Sequence, residues 1–116
     1  MPTFAALRIC TSDVLECRDF FSQFFEVAPL EDTPGFVAFD IEGTRLEIVL
    51  ADEKSPVSLG GSVGYWLVED FETSLTKAQY LGAQLYRGPL RVEEIQRVIV
   101  QLKDPSGAVF GLEAPF

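Results

Sequence analysis

The 116-residue chain contains no histidine. That absence removes the Ser-His-Asp and Cys-His pairs of nucleophilic catalysis and the commonest side-chain metal ligand. Cysteine is nearly absent too: Cys10 and Cys17 are the only two, neither has a recognisable activating neighbourhood, and buried free thiols are expected rather than a bridge. Basic residues are outnumbered, nine against eighteen acidic, for a net charge of −9. Phosphate binding needs a cationic face, so no nucleic-acid partner is expected. No apolar run approaches the roughly 20 residues of a membrane span, and no membrane partner is expected. The glycines form no phosphate-cradling loop of the P-loop or dinucleotide type. Met1-Pro2-Thr3-Phe4 has no basic segment followed by an apolar stretch, which makes a cytoplasmic location the expectation.

What remains is an ordinary globular balance, 47% hydrophobic and 23% charged, in a length that suits one domain with one core. The acidic excess leaves two readings open, a solvated surface or an affinity for a cationic ligand.

Residues Thr3 to Cys10 alternate, with Ala5, Leu7 and Ile9 on one face and Phe4, Ala6 and Arg8 on the other, and predict a strand. Asp13, with Glu16 three residues on, predicts a helix cap, and the helix runs to about Glu26. Val14, Cys17, Phe21 and Phe24 line its apolar face, which Phe20 and Phe25 widen. Either the core face is broad or part of it meets another subunit or an adjoining loop. A short strand over Val27–Leu30 precedes Pro34-Gly35; Phe36–Ile41 and Thr44–Leu50 follow as strands joined at Glu42-Gly43.

A second pass repeats this order. Val63–Val68 reads as a strand, Asp70 as a helix cap, Phe71, Leu75, Ala78 and Leu81 as an apolar face, and Gly82 as the stop. Gln84–Arg91, Ile95–Lys103 and Val109–Ala114 supply three strands, with turns at Gly88-Pro89, Glu93-Glu94 and Asp104-Pro105-Ser106-Gly107. The prediction is an α+β fold of two βαβββ modules, about residues 1–52 and 62–116, joined by a linker over 53–61. Curved mixed sheets would form a concave cleft with the helices on the outer face.

The echo of Gly43-Thr44-Arg45-Leu46-Glu47-Ile48 in Gly107-Ala108-Val109-Phe110-Gly111-Leu112, the terminal Asp-Pro-x-Gly turn entering an apolar strand, and Val68-Glu69-Asp70 running from strand to helix resemble the vicinal oxygen chelate superfamily, the glyoxalase/bleomycin resistance/dioxygenase group. The resemblance covers nearly the whole chain. It implies that each module's first and last strands hold the positions where the family's metalloenzymes carry His or Glu ligands. Those positions fall here on Phe4, Glu47, Val63 and Gly111, with Phe4 to Ile9 set against Val63 to Val68. Only Glu47 could bind a metal, and one carboxylate cannot replace most of an ion's hydration shell. Glu113, two residues beyond Gly111, faces the cleft at another height and adds at best a weak two-carboxylate site. No metal and no cofactor are therefore expected.

Alternation places Phe4, Arg8, Arg45, Glu47, Val63 and Tyr65 on the concave face, together with Arg97, Gln101, Gly111 and Glu113, as ligand-binding candidates. Gly111 would leave room where a metal ligand otherwise projects. The arginines either pair with Glu47 and Glu113 or leave one guanidinium to grip an anionic ligand group. Tyr65 could stack on a ligand and donate from its hydroxyl, or cover one end of the sheet, whereas Trp66 should point into the packing under the second helix. Glu47 with its pKa raised by the cleft, and Tyr65 as acid, are the candidate catalytic pair.

The first functional reading is a metal-free small-molecule binding protein, sequestering a drug or metabolite as the superfamily's drug-binding members do. The alternative is a lyase, isomerase or dioxygenase-type enzyme with an altered site using Glu47, and a third is an interaction module using the phenylalanine-rich helix. The resemblance also implies a homodimer.

Overall fold

The computed structural model describes residues 1–116. Each half is a strand, a helix and three further strands. The first contains β1 (Ala6–Thr11), α1 (Val14–Phe25), β2 (Glu31–Thr33), β3 (Phe36–Ile41) and β4 (Thr44–Leu50). The second contains β5 (Tyr65–Leu67), α2 (Phe71–Tyr80), β6 (Gln84–Val92), β7 (Arg97–Lys103) and β8 (Val109–Pro115), with a single 3-10 turn at Glu93–Ile95. The fold is α+β, with two four-stranded mixed sheets ordered β1-β4-β3-β2 and β5-β8-β7-β6. In each, the first strand runs parallel to the last and the others are antiparallel.

Local chemistry sets the helix starts. The Asp13 carboxylate accepts from the Glu16 N–H at 3.1 Å and that of Asp70 from the Thr73 N–H at 3.0 Å, each satisfying an orphan donor of the first turn. Glu26 closes α1 in the left-handed region, and Val27 is tied back to the helix by its N–H to Ser22 O and by Ser22 Oγ to its own carbonyl. This is why the strand expected at Val27–Leu30 begins instead at Glu31. The expected turn at Gly88-Pro89 is a cis peptide inside β6, where the register with β7 shifts and the strand continues. Likewise Ile95 belongs to the 3-10 turn, and β7 starts only after Gln96 adopts a positive φ.

One core serves both halves. Val37, Phe39, Leu46 and Ile48 of the first sheet and Val100, Leu102, Phe110 and Leu112 of the second join the buried face of α1 in a single cluster. The extra width of that helix face is explained here. Phe20 and Phe21 meet the Phe110 ring at 5.5 and 5.3 Å, and Phe25 meets Trp66 edge-on at 4.8 Å. The second sheet, within the same chain, is what covers the surplus aromatics, and Trp66 packs against the end of α1.

The linker also joins the halves. Ser58 donates its N–H to Cys10 O, accepts the Cys10 N–H on Oγ, and accepts the Val109 N–H on its carbonyl, so it bridges β1 to β8. Beside it, Gly64 lies against Leu7 with no space for a side chain.

Candidate functional site

On the first sheet the parallel register sets Arg8 opposite Glu47, and Ala38 flanks Glu47 from β3. Glu47 is 7% exposed. Its Oε1 accepts from Arg8 Nε at 2.9 Å and its Oε2 from Arg45 Nε at 2.8 Å. Burial pushes this carboxyl up, but the hydrogen bonds and charges of the two guanidinium groups outweigh it and hold the group below the usual carboxylate range. The raised pKa expected of a general base is therefore corrected: Glu47 is a stabilised carboxylate with both oxygens engaged, and a weak proton acceptor.

The corresponding row of the second sheet is Tyr65, Gly111 and Gln101. A Cβ on Gly111 would clash with the Tyr65 ring, meeting Cγ at 2.8 Å. The Tyr65 hydroxyl accepts from Gln101 Nε2 at 2.9 Å. The room expected above Gly111 is therefore filled by the ring of the neighbouring strand. Tyr65 spends its polar tip on Gln101.

These two rows also reset the internal repeat. Glu47 answers to Gly111, and the residues paired with them, Arg8 and Tyr65, answer to one another. Val63 therefore corresponds to Ala6, two residues beyond Phe4. Phe4 itself precedes β1 and is 76% exposed, and Val63 precedes β5 and is half-buried. With Ala6 or Phe4, Glu47, Val63 and Gly111 at the four positions, a divalent metal does not fit. No three His, Cys, Asp or Glu side chains converge anywhere in the chain.

All three candidate arginines are occupied, Arg8 and Arg45 on Glu47 and Arg97 more loosely on Glu113 at 3.5 Å. Arg8 and Arg45 each engage Glu47 through Nε and keep their terminal amino groups toward solvent. Cys17 is fully buried and donates Sγ–H to Asp104 Oδ2 at 3.3 Å; burial, then the Asp104 charge and hydrogen bond, push the thiol far up. It is structural, holding the turn before β8 against α1.

A groove of about 1200 Å³ lies elsewhere, between the end of α1, the end of β3 and the β3–β4 turn, β5 and the start of α2. Of the predicted residues only Phe4 and Tyr65 line it. Sequence reasoning did not assign Glu42, Glu69 or Lys77 to a binding site, or place Phe25 and Trp66 here. Their apposition is tertiary, although the acidic excess was its compositional trace.

No family model matches this sequence, and no curated protein matches it. Solved structures do match over almost the whole chain. A glyoxalase/bleomycin resistance protein/dioxygenase family enzyme from Burkholderia phytofirmans PsJN superposes with a TM-score of 0.82 at 18% identity, covering 99% of this chain and 100% of its own. The fosfomycin resistance protein FosX of Listeria monocytogenes gives 0.78 at 14% identity, covering 100% and 95%. TnmS3, an antibiotic binding protein from Streptomyces sp. CB03234, gives 0.74 at 22% identity, covering 100% and 98%. The likeness is one of fold.

Proposed function

From the premise that this chain has the glyoxalase/bleomycin resistance/dioxygenase fold, that of the vicinal oxygen chelate superfamily, we propose that it is a metal-independent small-molecule binding protein that acts by occupancy. The observation that carries this reading is the closure of both sheet positions by their own neighbours. Arg8 and Arg45 cap Glu47, and Tyr65 caps Gly111. A metal site needs several deprotonated ligands converging on open space, and here neither the ligands nor the space is available. The name of TnmS3 as an antibiotic binding protein supports sequestration as the biological use. The stabilised Glu47 carboxylate weighs against the lyase, isomerase or dioxygenase reading, because a proton acceptor held below its ordinary range abstracts poorly. We further propose a cytoplasmic homodimer. Strand β6, exposed along its length with Leu85, Tyr86 and Leu90 uncovered, supplies an unpaired edge for a second copy.

The test is metal analysis of the untagged protein, titration with nickel, zinc, manganese and iron, and a thermal-shift screen of small cationic, neutral and anionic molecules. The expected outcome is no stoichiometric metal and saturable stabilisation by at least one ligand class. Stoichiometric metal lost in Glu47→Ala would overturn the reading.

A further inference from the structure

We infer that the groove between the two halves is the binding site and that it selects a planar aromatic cation, an inference that rests on the small-molecule-binding reading above. Two features of the lining converge on that chemistry. The walls are aromatic: Phe24, Phe25, Trp66, Tyr65 and Phe4. The Phe25 and Trp66 rings meet edge-on, so the wall they form is aromatic rather than aliphatic. No hydrogen bond fixes the indole plane, since the buried Trp66 Nε1–H has no partner.

The rim is acidic. Asp40 comes from the end of β3 and Glu42 from the β3–β4 turn, Glu69 and Asp70 from the junction of β5 with α2, and Glu26 from the end of α1. Lys77 is the one cationic lining residue, and Glu26 neutralises it at 2.7 Å. Asp40 and Asp70 accept backbone N–H groups but meet no cation, and Glu42 and Glu69 stand outside every ion pair of the chain. Carboxylates uncompensated around a low-dielectric aromatic wall concentrate cations, and aromatic faces attract them directly. A neutral ring system would gain only the stacking, and an anionic one would lose more than that to repulsion. The volume, about 1200 Å³, accommodates a fused ring system with room for substituents.

Trp66 is the only tryptophan, so its fluorescence reports occupancy of this groove directly. The probes are proflavine as planar cation, acridine as its uncharged parent near neutral pH, and anthracene-2-sulfonate as anion, each followed by Trp66 quenching and by calorimetry. Proflavine should quench saturably at one equivalent and bind at least tenfold tighter than the other two. Glu42→Gln with Glu69→Gln should weaken it about tenfold or more. Glu53→Gln with Glu93→Gln and Glu94→Gln, which removes more charge but none from the groove, should change it less than about threefold. Equal losses in the two variants, or equal binding of the three probes, would overturn the inference by showing adsorption to net charge or to apolar surface. Binding heat with unchanged Trp66 emission would overturn the location while leaving the small-molecule reading intact. Failure of all three probes overturns the aromatic-cation assignment, and the wider ligand screen then decides the parent reading.

Discussion

The two sheets share one topology and one register between their first and last strands, yet they treat the same central position in opposite ways. In the first sheet the last strand presents a carboxylate, and the facing residue of the first strand is an arginine. In the second the last strand presents no side chain at Gly111, and the facing residue is a tyrosine whose ring takes the vacated space. Arg8 and Tyr65 are equivalent in the repeat. Each is matched to what stands across from it, charge to charge in one case and volume to void in the other. A duplicated backbone therefore fixes where two side chains meet, while the pair itself decides how the position is closed.

The sharpest way to break the comparison is to give the second sheet a side chain where it has none. Gly111→Ala should cost about 1–3 kcal/mol by urea unfolding, because the ring must leave its place. In a Tyr65→Ala background the same change should cost less than about 0.5 kcal/mol; an undiminished cost would show that the ring is not what closes the position. On the first sheet Glu47→Gln should cost about 1 kcal/mol at pH 7, since its two arginine partners remain half in water. The folded-state pKa of Glu47 is lowered. Its contribution is thus fully present above the unfolded value of about 4.3 and lost as pH falls through the folded one. The gap between wild type and variant should therefore narrow progressively as unfolding curves are taken further below about pH 4.3. A gap independent of pH would remove the ion pairs from the explanation. The smallest effect is expected of Gln101→Ala, about 0.5 kcal/mol, as Tyr65 exchanges one partly exposed hydrogen bond for water.

The sequence made β3 and β4 legible to the residue, because apolar alternation there is bounded by Gly35, Gly43 and an acidic turn. Both helix starts were equally readable from Asp13 and Asp70. The repeat register was not, for a physical reason. Strand side chains alternate with period two, so a two-residue slip leaves every residue on its proper face, and Phe4 fits the pattern as well as Ala6. The helix caps carry the missing signal, since aligning Asp13 with Asp70 sets Ala6 on Val63. The ion pairs could be anticipated from charge but not chosen over a free arginine. The groove was beyond reading, because its walls are strand ends and helix termini brought together from both halves.

The packing of Phe20, Phe21 and Phe24 of α1 on Phe110 has a consequence for the birth of the chain. The helix is synthesised well before β8, the strand that covers it. At ribosomal speeds of about 5–20 residues per second, those rings wait several seconds for their cover. A nascent first half is thus an aromatic surface in search of a strand. A gene broken at the linker would yield two sticky pieces rather than two working modules.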